Sequence, residues 1–187
     1  MSKKENKIDV VPMYIVGDES INVYGIINSF MNKSEIHHKK IGDLGKFTTI
    51  EIDSKRVQIR LYNYIDYYES CGFLGYPSAF LYFYDMSNKN AFDDYKYWLN
   101  LINKDYGEAM KVIVGIIGDK NVLEEVKEED IKKILNLPDA YYFKINIKDT
   151  QTLDNLFIEI AKYAIELNLK CSKVDYEGEC CHFCHIY

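Results

Sequence analysis

The last eight residues of the chain bring together side chains that could bind a metal or react covalently. Thiolate and imidazole groups are the ligands that zinc prefers, and this segment holds Cys180, Cys181, Cys184, His182 and His185. It has no second spaced ligand pair and no hydrophobic module around it, so a zinc site and a tail of inert thiols both remain open. Cys71 and Cys171 stand alone. This spacing does not indicate a disulfide framework.

Composition indicates one globular domain. The chain has 187 residues, of which 48% are hydrophobic, enough for one substantial core. A net charge of -6 with scattered basic residues argues against nucleic acid as a partner. No apolar run reaches the roughly 18 residues of a spanning helix, and MSKKENK lacks the apolar region of a secretory signal. We therefore expect a cytoplasmic protein.

The hydrophobic pattern alternates between strands and helices. MYIVG, residues 13–17, predicts a strand that ends in glycine before a helix, and FTTIEIDSKRVQIRLY, residues 47–62, predicts a β-hairpin. Apolar runs predict buried strands at SAFLYFYD, KVIVGIIG and AYYFKIN, and helical spacing predicts helices at NAFDDYKYWLNLI, EEDIKKILNL and TLDNLFIEIAKYAIELNL. This alternation predicts an open α/β sheet, made mixed by its antiparallel hairpin.

Several strings resemble the Rab family of Ras-superfamily small GTPases. They are GDESINVYGII from Gly17, TTIEIDSKRVQIRL, YDMSNKNAFDDYKYWL and LFIEIAKYAIE, and the resemblance runs from about Met13 to about Leu167. It implies the α/β small-GTPase (P-loop G-domain) fold, a mixed six-stranded sheet with about five flanking helices. The expected domains are an N-terminal tail at 1–10, a Rab-like G domain at 11–169 and a flexible C-terminal tail with the cysteine cluster at 170–187.

The phosphate loop implied by this resemblance is degenerate. Such a loop needs Gly, four residues, Gly, Lys and then Ser or Thr, because backbone N–H groups wrap the phosphates, Lys neutralises them and the hydroxyl binds Mg²⁺. Only the first glycine remains here, and the carboxylates of Asp18 and Glu19 would repel phosphate. The degenerate nucleotide-binding positions of this loop are Gly17, Asp18, Ser20, Asn22, Val23 and Tyr24.

The two switch segments have lost the corresponding groups. KIGDLG resembles the first switch with Lys40 in place of its Thr; this lysine either stands in for the missing metal charge or is simply solvated. In the second switch Asn63 replaces a metal-supporting Asp, Asp66 replaces a Gly, and Tyr67 replaces the Gln that orients water. We therefore expect no catalytic residue, and the degenerate metal positions are Tyr24, Lys40 and Asn63.

Guanine recognition is also largely lost. The family's Asn-Lys-x-Asp string becomes Asp119, Lys120, Asn121 and Val122, so the carboxylate that accepts two hydrogen bonds from guanine is an apolar valine. Lys120 keeps its place along the base. In the NIK string, Asn146 and Lys148 correspond to the family's Ser-Ala-Lys, and either these lysines contact a nucleotide or their stems pack over the sheet edge.

The resemblance also bears on the tail and on partners. Cys180 and Cys181 resemble the cysteine pair that Rab proteins carry for geranylgeranylation, and Cys184 begins CHIY, a CaaX-like box with an unusual final Tyr. Partners would be effector or trafficking proteins bound through the former switches, 40–47 and 62–75. Candidate interface anchors there are Tyr62, Tyr64, Tyr67 and Tyr68.

The resulting prediction is a pseudoGTPase of vesicle and membrane trafficking, with weak or no GTP hydrolysis, on the cytosolic face of endomembranes. The alternative is a divergent Rab GTPase that binds nucleotide and switches between GTP and GDP. No cofactor follows from the residues themselves. GTP or GDP with Mg²⁺ is what the family resemblance implies.

Overall fold

The computed structural model describes residues 8–31, 40–41, 45–65, 76–117, 125–137 and 140–167. In this part of the chain the strands are β1 Asp9–Gly17, β2 Lys40–Ile41, β3 Gly45–Ile52, β4 Lys55–Asn63, β5 Ala79–Asp85, β6 Met110–Ile116 and β7 Ala140–Ile145. The helices are α1 Val23–Met31, α2 Lys89–Asp93, α3 Tyr95–Asp105, α4 Glu128–Leu135 and α5 Thr150–Glu166.

The strands form one mixed sheet in the order β2-β3-β4-β1-β5-β6-β7. Strand β1 pairs in parallel with β4 and β5, and the parallel pairing continues through β6 to β7. Strands β2, β3 and β4 pair antiparallel and form one edge. The predicted α/β fold is confirmed. The six predicted strands are present, and the described sheet also includes the two-residue strand β2.

The predicted hairpin is strands β3 and β4. Its two-residue turn holds Asp53 and Ser54 at φ 49° and 62°, in the left-handed region that tight hairpin turns require. Asp and Ser tolerate that region better than branched residues do, because their short polar side chains can bond locally. Ile52 and Lys55 therefore pair directly across the turn.

The sheet separates two apolar layers. Along β1, Met13 and Ile15 face the layer formed with α1 and α5, whereas Tyr14 and Val16 face the layer formed with α2, α3 and α4. Strand β5 alternates in the same way. Six of its seven residues are buried, and the exception is Asp85. This two-faced burial explains why the central strands are continuous apolar runs.

One predicted helix is two helices in the structure. The pattern predicted a single helix over NAFDDYKYWLNLI, but α2 ends at Asp93 and α3 begins at Tyr95. Asp94 keeps helical backbone angles, and its N–H donates to the carbonyl oxygens of Asn90 and Phe92. The chain therefore keeps its direction across the interruption, and Phe92, Tyr95, Leu99 and Ile102 still face the core. No helix in the described ranges is long and apolar enough to cross a membrane.

Candidate functional site

The parallel strands bring their carboxyl ends to one edge of the sheet. Strands β1, β4, β5 and β7 end there at Gly17, Asn63, Asp85 and Ile145. In open α/β sheets, ligands bind in the crevice outside these ends. Three of the predicted site segments begin at or directly after these ends in the described residues: 17–24 at the end of β1, 63–65 at the end of β4 and 146–148 after β7. The described parts of these segments therefore lie at the same edge of the sheet, and their role as a nucleotide site stays a prediction.

Both oxygens of the Asp18 carboxylate are bonded. Oδ1 accepts hydrogen bonds from the backbone N–H of Ser20 at 2.7 Å and from the Ser20 hydroxyl. Oδ2 accepts a hydrogen bond from the backbone N–H of Asp85 at 3.1 Å. This one side chain therefore closes its own turn and ties the β1–α1 loop, residues 18–22, to the end of β5.

The bond to Asp85 continues the pairing of β1 with β5. Gly17 pairs with Phe83, and the N–H of Asp18 donates to the carbonyl oxygen of Phe83 at 3.1 Å. A parallel ladder would next join the Asp18 carbonyl to the Asp85 N–H. Here the carboxylate makes that bond, and the Asp18 carbonyl accepts instead from the N–H of Ile21 at 2.9 Å. The main chain can thus leave the sheet while Asp85 keeps an acceptor.

Asp85 was not among the predicted site residues. Its own carboxylate Oδ1 accepts from the backbone N–H of Ser87 at 2.8 Å and from the Ser87 hydroxyl at 2.7 Å. An Asp two residues before a Ser at the end of a predicted strand is a recognisable turn signal. The string YDMS could therefore have predicted the turn at Asp85. It could not have predicted the contact with Asp18, because that contact depends on β1 and β5 being neighbours in the sheet.

The interior of the β1–α1 loop is apolar. A Cβ atom on Gly17 would lie 2.8 Å from Cβ of Ile21 and 3.1 Å from Cγ2 of Val23. Val23 is only 9% exposed and belongs to the core layer between the sheet and helices α1 and α5. These branched side chains fill the space over Gly17, so glycine is required there by close approach. Val23 stands where the family resemblance places a lysine.

The two neighbours of Val23 have different surroundings. Asn22 Oδ1 accepts a hydrogen bond from the N–H of Gly25 at 2.8 Å, which caps the first turn of α1. The Asn22 carbonyl also accepts from the N–H of Ile26 at 3.1 Å. Tyr24 is 49% exposed. The position of the family's metal-binding hydroxyl therefore carries a large, half-exposed ring.

The start of the former second switch is built into the core. Asn63 is buried, and its Oδ1 accepts from the N–H of Ile65 at 3.2 Å. Tyr64 is 5% exposed, and its ring centroid lies 4.9 Å from that of Phe80 and 6.0 Å from that of Trp98. Tyr62 is also buried, and its ring lies against Gly45. The interpretation of Tyr62 and Tyr64 as partner anchors is therefore wrong.

The segment after β7 forms a polar turn. Asn146 Oδ1 accepts from the backbone N–H of Lys148 at 3.0 Å, and the Asn146 carbonyl accepts from the N–H of Asp149 at 2.9 Å. Asp149 then caps α5 by accepting from the N–H of Gln151 at 3.0 Å. Asn146 and Lys148 are exposed. Both predicted residues thus lie at the surface of the sheet edge.

The Asp18 carboxylate influences the pKa of Tyr82, a buried residue of strand β5. Burial raises the pKa of the Tyr82 hydroxyl, and the nearby carboxylates of Asp18 and Asp94 raise it further. The Tyr82 hydroxyl donates to the carbonyl oxygen of Ala91 at 2.6 Å. The neutral phenol is therefore the stable form of the Tyr82 side chain.

Several predicted residues lie outside the described ranges. They are Asp119, Lys120, Tyr67, Cys180, Cys181 and Cys184. Lys40 belongs to strand β2 and pairs with Lys46. For these positions the sequence-based expectations stay predictions.

The described loop does not fit a Mg²⁺-bound nucleotide phosphate. Val23 offers no cation to the phosphate, and Tyr24 offers a phenol in place of a small hydroxyl. Asp18 places a carboxylate among the N–H groups of the loop. Within the described ranges, no group of three or more His, Cys, Asp or Glu side chains is arranged to hold a metal ion.

Comparison with known proteins identifies the family. The family model described as the Ras family matches residues 12–166. The Ras-related protein RabZ of Dictyostelium discoideum is 22% identical over 169 residues, which cover 85% of this chain and 73% of that protein. The Ras-related protein Rab-8A of Bos taurus is 23% identical over 171 residues, which cover 87% of this chain and 79% of that protein. The matched segment extends from within β1 to the last residue of α5, and this chain therefore belongs to the Ras family.

Proposed function

We propose that this chain is a Rab-like pseudoGTPase, a protein-binding module of vesicle and membrane trafficking that hydrolyses GTP weakly or not at all. The Ras-family membership and the similarity to two Rab proteins support the Rab-like part of the proposal. The observation that carries the loss of activity is the buried position of Val23 over Gly17.

Val23 carries the proposal for an electrostatic reason. A nucleotide triphosphate brings several negative charges, which phosphate loops offset with a lysine ammonium and a metal ion. Here the lysine position is apolar and packed, and the nearest described ionic groups on the loop are the carboxylates of Asp18 and Glu19. Without a contact that distinguishes GTP from GDP, the nucleotide supplies no free energy to drive a switch.

Partners would bind at the former switch surfaces. Since Tyr62 and Tyr64 are buried, the exposed contacts there come from other residues. Ile65, directly after Tyr64, is 44% exposed, and the first residues of β3, Gly45 to Phe47, are half-buried.

Binding of nucleotide is the direct test. Isothermal titration with GTP, GDP and ATP, each with and without Mg²⁺, should give no saturable heat. Dissociation constants in the micromolar range or tighter for GTP would contradict the pseudoGTPase. The Lys148→Ala variant locates any binding that is seen, because loss of affinity in it would place the nucleotide at the predicted sheet edge.

The alternative function is a divergent GTPase that binds nucleotide in an unusual way. It is favoured by the exposed Lys148 at the carboxyl edge of the sheet, next to the Asn146 turn. In this alternative, Lys120 would act together with Lys148, since the family resemblance places Lys120 along the base. Micromolar GTP binding that Lys120→Ala and Lys148→Ala both weaken would establish this alternative.

A lipid anchor on the tail completes the proposal. Two prenyl chains on Cys180 and Cys181 would hold the protein on the cytosolic face of endomembranes, because one chain alone binds only reversibly. In cell fractionation, the Cys180→Ser plus Cys181→Ser variant should move from the membrane pellet to the supernatant. Cys184→Ser tests the CaaX-like box separately. The matched control, Cys71→Ser plus Cys171→Ser, should stay in the pellet. Equal partitioning of all variants would contradict the lipid-anchor hypothesis.

A further inference from the structure

We propose that Asp18 is a permanent internal ligand of the β1–α1 loop: its carboxylate takes N–H groups that an external anion would need and holds the loop in one conformation with no phosphate bound. This inference deepens the proposed function and rests on it, because it concerns the same loop. The carboxylate is attached to the chain, so it makes these bonds without the loss of translational and rotational freedom that a separate anion would incur.

Most N–H groups of the loop and of the first turn of α1 that could face a ligand already donate to acceptors within the chain. An anion site at the start of a helix requires several backbone N–H groups that point toward the ligand. Here the chain supplies the acceptors: Asp18 donates to Phe83, Ser20 and Ile21 donate to Asp18, Val23 donates to Ile21, and Gly25 donates to Asn22. A phosphate would have to displace these acceptors before it could bind to these N–H groups.

The contact with Asp85 shows that the Asp18 carboxylate does more than close its own turn. The bond from the Asp85 N–H to Asp18 Oδ2 is partly buried and joins residues 67 positions apart. A buried N–H that loses its acceptor is costly. Because Asp85 also holds Ser87 through two bonds, the network runs from Ser20 through Asp18 and Asp85 to Ser87. The loop after β1 and the turn after β5 are thereby held together.

Amide hydrogen exchange of the full-length protein tests the internal ligand. In Asp18→Ala, the N–H of Asp85 should exchange about tenfold faster than in the wild type. Asp18→Asn has one acceptor oxygen, so it can serve Ser20 or Asp85 but not both, and we expect faster exchange at Asp85 with a smaller loss of thermal stability. Glu19→Ala removes the same charge from the exposed neighbouring residue and should leave exchange at Asp85 unchanged.

The second measurement adds inorganic phosphate to the wild type, with chloride at matched ionic strength as the control. Exchange at Asp85 should be the same in both salts. Slower exchange in phosphate alone, or equal exchange in Asp18→Ala and Glu19→Ala, would overturn the inference. If Asp18→Ala does not fold, Asp18→Asn gives the same comparison.

The outcome can be separated from that of the proposed function. Tight GTP binding by a wild type whose Asp85 N–H stays protected would overturn the pseudoGTPase but retain Asp18 as an internal ligand, because the nucleotide would then bind without displacing the Asp18 carboxylate. No GTP binding together with equal exchange in the Asp18 and Glu19 variants would retain the pseudoGTPase and overturn the internal ligand.

Discussion

The hydroxyl oxygens of Tyr84 and Tyr142 lie 2.8 Å apart and share a hydrogen bond. Both lie over Gly115 of β6, where a Cβ atom would be 2.9 Å from the first oxygen and 2.5 Å from the second. The Tyr142 hydroxyl also lies 3.9 Å from the sulfur of Met86. The missing side chain at Gly115 thus makes room for a polar pair above the sheet.

Gly115→Ala should destabilise the protein by about 1–3 kcal/mol, because the added methyl group overlaps the two hydroxyls. Tyr142→Phe removes the closer oxygen, so the same glycine substitution should cost less in that background. Urea denaturation of the two single variants and the double variant measures this coupling. Gly107→Ala is the control: its nearest contact, the Asn103 carbonyl at 3.3 Å, is also tight but involves neither hydroxyl, so its cost should not change in the Tyr142→Phe background. Additive losses would contradict the overlap.

Tyr64→Ala should lower the free energy of unfolding by about 3–5 kcal/mol, the cost of deleting a buried aromatic ring. The ring lies among Phe80, Trp98 and Tyr106. Ile65→Ala, at the adjacent exposed residue, should change stability by about 0.5 kcal/mol or less. Chemical denaturation of both variants checks this difference. A small effect at Tyr64 would mean that its ring is available to partners after all.

Val23→Lys should not create GTP affinity and should destabilise the protein, because the ammonium enters an apolar, packed position. Tyr24→Lys places the same charge one residue further on, where half the side chain is exposed, and should cost much less. Thermal denaturation ranks the two variants, and titration with GTP measures binding. Micromolar GTP binding by Val23→Lys alone would show that charge at this position was the main deficiency.

Asp130→Asn should reduce stability near neutral pH, and the reduction should shrink in acid. Hydrogen bonds from Lys89 and then Lys133, at 2.8 and 2.9 Å, hold the pKa of the Asp130 carboxyl well below its usual range. A lowered native pKa stabilises the fold above the unfolded pKa of about 3.9 and loses that contribution as pH falls toward the native value.

Urea denaturation from pH 7 to acid, in the wild type and in Asp130→Asn, measures this dependence. The difference should be constant at neutral pH and decrease below about pH 4. Glu129→Gln removes the same charge from the neighbouring exposed residue and serves as the control. High salt should reduce the difference, because the ion pairs lie at the surface. A difference that grew in acid would be inconsistent with a lowered pKa.

Local pattern was enough to predict most of the fold. Period-two alternation located the β3–β4 hairpin, continuous apolar runs located β1, β5 and β6, and helical spacing located α5. These signals are local because a strand or helix must present an apolar face within its own few residues. The hydrophobic pattern did not predict the interruption at Asp94, because the apolar face continues across it.

The amino-acid sequence by itself also determined which chemical groups the site lacks. It showed that no lysine follows Asn22 and that Tyr24 stands at the metal position, whatever the surrounding geometry. The tertiary structure decided where the substituted side chains lie: Val23 in the core and Tyr24 half-exposed. It also decided that Tyr64 packs under α3 and that Asp18 meets Asp85. Those contacts join residues far apart in the chain, so they depend on strand order and on packing between layers, which no local pattern encodes.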